Sequence, residues 1–363
     1  MNAMTRRIVV GTAAVSIALT MAACGKAGDK KDSGSGAKAD KTIGLLLPEN
    51  ATTRYEKFDR PLITAKIKSL CSDCSVDYAN AAGDASKQAQ QVSTMITRGV
   101  KVLIVDPQDS VGIQSSIQSA VDKGIKVVAY DRLAQGPVSA YVSYDNEKIG
   151  ELQGQALLTA MGAKATPSAN VVMINGDSAD PNAAQFKEGA HKVLNGKVKI
   201  AYEQSGLWKD SVAGQKMSAA LTQIGKNNIA GVYSANDGMA GGIATVLKGA
   251  GINPPLTGQD AELPGIQRIL AGTQSATIYK AYAPEADATA EIAVDLLQGK
   301  DFKSVTPTTA KSGSGQTVPA LLIGATAVTK DNIKDTVIKD KLYTVAQICT
   351  AEFASACKAA GIS

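Results

Sequence analysis

VLIVDPQDSVGIQSSIQSAVDKGIKVVAYDR, residues 102–132, carries the pattern that decides the fold. Four apolar side chains in a row, Val102–Val105, stop at Asp106 and Pro107. A segment of helical period follows, with Val111, Ile117 and Val121 spaced along it and Gly124 as its stop. A second apolar run, Val127–Tyr130, then ends at Asp131 and Arg132. Short runs dense in Val, Ile and Leu suit strands covered on both faces, and the helix between them is the crossover that two parallel strands require.

The same alternation continues on both sides of this stretch. Apolar runs recur at Ile43–Leu47, Tyr141–Tyr144, Val171–Ile174, Ile229–Tyr233 and Ala276–Tyr279. Helical patterns pass through Ala89, Val92 and Ile96 to Gly99, and through Ile149, Leu152, Ala156 and Leu157. Strand, helix and strand at about 25–30 residue spacing is the signature of a doubly wound parallel sheet. The chain has 363 residues, of which 44% are apolar. That length exceeds one ordinary core, and that composition excludes wholesale disorder. The expected fold class is therefore α/β, with two doubly wound parallel-sheet lobes.

The rare residues narrow the function. A single His, His191, excludes a His-rich metal site, and its helical position beside Lys192 reads as solvated. Five Cys leave one unmatched. Arg6 and Arg7 precede an apolar run from Ile8 to Ala18 that is too short to span a bilayer and right for a signal segment. The run leads into Met21-Ala22-Ala23-Cys24-Gly25, which resembles the lipobox of bacterial lipoproteins. On that reading residues 1–23 are a cleaved signal peptide and Cys24 carries lipid. Residues 24–41 hold no large apolar side chain after the Cys and read as a flexible tether. The expected location is the extracytoplasmic face of the bacterial cell membrane. The other four Cys fall into two local pairs, Cys71/Cys74 and Cys349/Cys357, expected as structural disulfides in an oxidising compartment, although four Cys permit three connectivities and Cys71-Ser-Asp-Cys74 also has the form of a redox or zinc-ligand pair. Residues 346–363 then form a stapled C-terminal tail. Without Arg6 and Arg7 the formal charge falls from +5 to +3. No basic stripe interleaved with aromatics appears, which argues against nucleic-acid binding.

Ligands of open α/β sheets bind beyond the carboxyl ends of the strands. The residues placed there are Arg54, Tyr55, Asp131, Arg132, Asp180, Asn182, Asn236, Asp260 and Lys280, with Trp208 on a polar flank. Carboxylates accept, Arg and Lys donate, and Asn does both, which suits hydroxyls that donate and accept at once. Trp208 and Tyr55 can offer a platform to the C–H face of a sugar ring. Some of these residues have local duties too. Asp180 before Pro181 is an N-cap, one of Asn236 and Asp237 caps the next helix, and Asp145 caps the segment through Ile149. Asp106-Pro107 reads as a turn, whereas Asp260 and Lys280 show no local duty. Asp131, Asp180 and Asp260 could also supply the carboxylate pair of a glycosidase, but the intervening cations would keep them ionised and spoil a general acid.

These residues sit in distinctive wording: Val128–Arg132 (VAYDR), Ser143–Gln153 (SYDNEKIGELQ), Gly258–Glu262 (GQDAE), Ala271–Gln274 (AGTQ), Ile278–Lys280 (IYK) and Asp331–Asp340 (DNIKDTVIKD). The set closely resembles the periplasmic D-xylose-binding proteins, sugar-recognising components of ABC importers, from about residue 42 to 343. The resemblance implies a type I periplasmic binding protein fold. Residues 42–144 with 279–320 would form one lobe, and 145–278 with 321–345 the other, joined by a three-segment hinge. It implies a monosaccharide in the cleft, an ABC permease as partner, and a monomer with no cofactor, metal or catalytic residue. It carries ligand contact over to Arg54, Asp131, Arg132, Asp180, Asn182, Trp208, Asn236, Asp260 and Lys280. Tyr55 stands where the family often has Trp, Pro181 replaces a residue that is often Asn, and the Arg54–Asp59 segment is one residue longer than in some relatives. A sister group with the same Asp-Arg and Gly-Gln-Asp motifs binds glucose, galactose or arabinose. Another aldose, ribose included, or delivery to a sensor or chemoreceptor, is thus the alternative to xylose import. The regulators that share this lobe pair begin with a helix-turn-helix, whose place here is taken by the signal and tether.

Overall fold

The computed structural model describes residues 41–362, so Cys24, the signal peptide and all but the last residue of the tether lie outside the described residues. Thirteen strands are found among the described residues: β1 (Thr42–Leu47), β2 (Ser75–Asn80), β3 (Val102–Val105), β4 (Lys126–Tyr130), β5 (Ala140–Tyr144), β6 (Asn170–Asn175), β7 (Lys199–Ser205), β8 (Ile229–Ser234), β9 (Leu256–Gln259), β10 (Ala276–Tyr279), β11 (Thr308–Lys311), β12 (Thr317–Ile323) and β13 (Thr326–Val328). They form a seven-stranded sheet in the order β11-β12-β5-β4-β3-β1-β2 and a six-stranded sheet in the order β13-β10-β9-β8-β6-β7. Pairing is parallel throughout, apart from β11 on β12 and β13 on β10.

The fully buried runs in β1, β3, β4 and β5 make the middle of the first sheet, as their lack of polar alternation requires. Two strands without a dense apolar run, β2 and β7, are edge strands, and their side chains are mostly half-exposed. The helix expected from Val111 starts at Gln114 instead, because Asp109 folds back to accept the amides of Val111 and Gly112 and leaves Val111 69% exposed.

The chain passes between the sheets three times: after Tyr144, after Tyr279 and between Ile323 and Thr326. The third passage lies three residues beyond the expected boundary at 320, since β12 runs on beside β5 as far as Ile323. Asp145 caps the helix Asn146–Met161, accepting the amide of Lys148 at 3.1 Å. That helix packs against Pro181–Leu194 at close range. A side chain at Gly150 would strike the carbonyl of Phe186, and one at Gly189 the carbonyl of Glu147. Two glycines therefore let the backbones approach and fix where Asn182 and Phe186 stand.

The C-terminal tail is packed, not loose. Tyr343, Ile348, Cys357 and Ile362 share a buried cluster with Ile266, Ile269 and Leu270 of the helix Leu263–Ala271. Disulfides link Cys71 to Cys74 and Cys349 to Cys357. No helix among the described residues is long and apolar enough to cross a membrane.

Candidate functional site

The carboxyl ends of the strands in both sheets point at one cavity with about 300 Å3 of atom-free space. All ten residues picked out by their place in the sequence line it: Arg54, Tyr55, Asp131, Arg132, Asp180, Asn182, Trp208, Asn236, Asp260 and Lys280. Thr52, Phe186 and Gln259 complete the lining.

Each cation is matched to carboxylates. Arg54 binds Asp131 through Nη1 at 2.9 Å and Asp59 through Nε at 2.7 Å, and its other nitrogen meets Glu285. The rings of Tyr55, Tyr130, Tyr144 and Tyr282 surround its guanidinium at 4.9–5.7 Å. Arg132 lies between Asp180 at 3.0 Å and Asp106 at 3.5 Å, and donates to the Tyr55 hydroxyl at 3.0 Å. Asp131 is thus the partner of Arg54, not of its neighbour Arg132. Asp106 is no surface turn but a fully buried carboxylate under Arg132. Lys280 pairs with Asp260 at 2.8 Å, which is the duty that neither residue showed in the sequence.

The caps do double service. Asp180 accepts the amide of Asn182 at 2.8 Å, and Asn236 accepts that of Met239 at 2.9 Å, while both also face the cavity. Asp237 instead turns away from the cleft, where burial pushes it up to about 7 and Gln274 and Thr277 donate to it. His191 is half-buried beside Glu203, with a ring nitrogen 3.2 Å from the carboxylate, so it is less solvated than its sequence neighbours implied.

Three lining residues hold backbone angles that L-residues rarely adopt: Asp131 at φ 56°, Trp208 at φ 57° and Asp260 at φ 92°. Such conformations persist where surrounding contacts hold them, and they cluster at binding sites. The Asp131 carbonyl is held by Tyr141, Ser143 and Asn182, and the Asp260 carbonyl by Tyr282. The Trp208 ring lies over Gly176, where any side chain would collide with it, and meets Phe186 edge-on at 6.5 Å.

Buried polar atoms without a protein partner include Asn182 Oδ1, Trp208 Nε1 and Gln259 Oε1. They add acceptors and a donor to the charged ring, and polyhydroxylic ligands need both. Burial would raise Asp131, but Arg54, Lys280 and Arg132 outweigh it and hold the carboxyl below its ordinary value. Burial pushes Asp59 and Asp180 up to about 6, and Glu285 up to about 8, against the opposing pull of their arginines.

Glu285 leads to a pH prediction. A carboxyl whose folded pKa is raised contributes stability that is full at low pH and is lost as pH rises through the folded value. Gln at 285 does not titrate. Between pH 5 and 9, the melting temperature of Glu285→Gln relative to wild type is therefore expected to move in the variant's favour. A difference that stays constant across the series would refute the raised value.

The helix Pro181–Leu194 also supplies Phe186. Its signal was present, since it stands four residues after Asn182 and shares that helix face. Gln259 lay inside the quoted Gly-Gln-Asp wording, but its side-chain direction depends on the register of β9.

Comparison with known proteins follows this geometry. Residues 43–301 match the family model described as periplasmic binding protein domain. A D-xylose-binding periplasmic protein of Haemophilus influenzae is 37% identical over 324 residues, covering 86% of this chain and 93% of the relative. One of Escherichia coli K12 is 38% identical over 311 residues, covering 83% and 90%. A carbohydrate transporter solute-binding protein of Chloroflexus aurantiacus, solved in complex with D-glucose, superposes with a TM-score of 0.73 at 25% identity, covering 84% of this chain and 97% of that one.

Proposed function

This chain belongs to the periplasmic binding protein family, among its D-xylose-binding members, and from that premise we propose that it is the substrate-binding component of an ABC importer for a monosaccharide, D-xylose first. The observation that carries the reading is the ring of matched charges around one small cavity, drawn from both sheets and broken by an aromatic wall. A neutral sugar replaces water at Arg54, Asp131, Arg132, Asp180, Asn182, Asn236, Asp260 and Lys280, while Trp208 and Tyr55 take its apolar faces. Paired charges leave no net demand for a charged ligand.

Closure is written into bonds that join the two halves. Arg132 reaches Asp180, Asn182 donates to the Asp131 carbonyl at 3.0 Å, Thr53 donates to Glu262 at 3.1 Å, and the Ser110 amide donates to Ala179 at 3.1 Å. A sugar that touches both halves favours the state in which these bonds exist, and that state presents a single surface to the permease. Lipid on Cys24 would hold the receptor, as a monomer, at the outer face of the membrane, with residues 25–41 as its leash. Glycoside hydrolysis is not proposed: Asp131 is kept ionised by arginine and Asp260 is ion-paired to Lys280, while Asp180, which burial pushes up to about 6 against the expectation that its cation would keep it low, is engaged by Arg132 and by the Asn182 amide. The glucose-bound Chloroflexus structure favours D-glucose as the second sugar to test.

Titration calorimetry with xylose, glucose, arabinose and ribose tests the proposal. Saturable binding of at least one is expected, and no heat from any at millimolar concentration overturns it. Trp208→Ala is expected to weaken binding by about 1–3 kcal/mol, roughly ten- to a hundredfold, because the ring is the cavity's main apolar wall. Unchanged affinity in that variant would mean the sugar lies elsewhere.

A further inference from the structure

The first sheet's strands point their carboxyl ends at the sugar cavity, and their amino ends, roughly 20 Å away along β1, carry a surplus of cations. Lys41 precedes β1, Lys101 precedes β3 and Lys126 opens β4, and these strands are neighbours in the sheet. The Lys101 amide donates to the Thr42 carbonyl at 3.0 Å and the Lys126 amide to the Lys101 carbonyl at 3.1 Å, so the three lysines form a row. Arg98 and Lys123 cap the C-termini of the helices Ala85–Thr97 and Gln114–Asp122, which lead into β3 and β4. Lys311 ends β11 at the same edge, opposite Thr317, where β12 begins beside β5.

Arg98 and Lys123 have a local reason for their places, since cations suit helix C-termini. Lys101 and Lys126 stand at the starts of central strands and have none. Asp73 pairs with Lys41 and Asp77 with Arg98, both at 2.9 Å, and Asp122 accepts from Gln118 at 2.8 Å. Among the described residues, Lys101, Lys123, Lys126 and Lys311 are exposed and make no ion pair. A basic face left unbalanced in this way suits an anionic surface. The path of the chain singles out which surface. Lys41 lies on this face, so on the lipoprotein reading the link to Cys24 joins the protein here. A flexible segment as long as residues 25–41 has a root-mean-square span of about 20–25 Å. A lipid on Cys24 would therefore hold this face close to phosphate-bearing headgroups. The other lobe's Lys164, Lys197 and Lys226 precede β6, β7 and β8 and lie on no tethered face.

We propose that this lysine face is an electrostatic contact with anionic phospholipid headgroups, seating the tethered receptor on the membrane with its sugar cavity at the far end of the strands. The lipid alone fixes where the protein is held, and the lysines add which way it sits. Each cation within a Debye length of an anionic membrane strengthens such a contact by roughly fivefold. The inference rests on the reading of Cys24 as the lipid attachment, and the experiment separates the two. The lipidated chain purified from cells is reconstituted into vesicles of phosphatidylcholine, alone or with an equal part of phosphatidylglycerol. A membrane-impermeant amine reagent then labels exposed lysines, which mass spectrometry reads one by one. Labelling of Lys101, Lys123 and Lys126 is expected to fall by about fivefold on the anionic vesicles, while Lys164, Lys197 and Lys226 stay within about twofold. Salt at about 1 M, where the Debye length is about 3 Å, is expected to abolish the difference. The double variant Lys101→Gln, Lys126→Gln is expected to lose the protection of Lys123 and to melt at the wild-type temperature. Equal labelling on both kinds of vesicle, or equal protection at both ends of the molecule, overturns the contact and leaves the anchor intact. A chain extracted from cells without lipid on Cys24 overturns the anchor reading, and this inference with it.

Discussion

Asp131→Asn is expected to raise the dissociation constant for the sugar by about a hundredfold, close to 3 kcal/mol, with little change in fold. The substitution is nearly isosteric, and Asn accepts the left-handed backbone that Asp131 holds at φ 56°. Its carbonyl contacts with Tyr141, Ser143 and Asn182 do not depend on the side chain. What changes is the charge facing Arg54 at 2.9 Å and the second oxygen facing the Tyr55 hydroxyl at 3.4 Å. Arg54 keeps Asp59 and Glu285, so no uncompensated cation is left buried. The sugar instead meets an amide that cannot accept at both positions, next to a guanidinium no longer drawn toward it. Asp131 also raises Asp59 and Glu285 through repulsion, so the variant should titrate both at lower pH. Calorimetry and a pH series of thermal melts measure both effects. A dissociation constant within threefold of wild type would remove Asp131 from the ligand shell.

Arg132→Leu is expected to cost the most stability, about 3–5 kcal/mol near neutral pH, because it strands buried carboxylates. Asp106 is fully buried with neither carboxylate oxygen hydrogen-bonded, and its nearest cation is Arg132. Asp180 loses its partner across the cleft in the same step. Burial already raises Asp106 well above the carboxylate range and Asp180 to about 6, with Arg132 opposing both shifts. Without the arginine both rise further. Raised carboxyl values favour the folded state at low pH and penalise it as pH increases. The deficit of Arg132→Leu should therefore shrink from pH 8 to pH 5 in denaturant melts. A deficit independent of pH would show that lost packing, not stranded charge, is responsible.

The parts of the molecule that the sequence made legible share a physical cause. Val102–Val105 and Val127–Tyr130 are covered on both faces, so burial imposes an unbroken apolar run that can be seen without coordinates. β2 and β7 lie at sheet edges, where solvent takes one side and the apolar density disappears. Asp131, Arg132, Asn236, Asp260 and Lys280 stood out because they follow strand ends closely and are polar where the preceding run is not, whereas Arg54, Asp180 and Asn182 lie farther along the loops beyond β1 and β6. Asp59, Asp106 and Glu285 form the layer behind them, and nothing in their immediate neighbours marks them. Glu285 sits in the first turn of a helix and Asp59 beside Arg60, positions where exposed acids are common. Glu285 becomes a partner only when Arg54 arrives from another part of the chain, a contact that depends on the complete fold, whereas Asp59 meets Arg54 locally, within one short segment. Asp106 was masked by Pro107, whose turn-forming habit is a local property.

Trp208 has one more consequence, since the chain contains one tryptophan and it stands in the wall of the cavity. Its indole emission is a single-site optical signal that needs no label and no correction for other tryptophans. Sugar in the cavity and closure of the two halves each alter the solvent around the same ring. Stopped-flow fluorescence can therefore time ligand encounter and closure as separate phases, with the protein serving as its own probe.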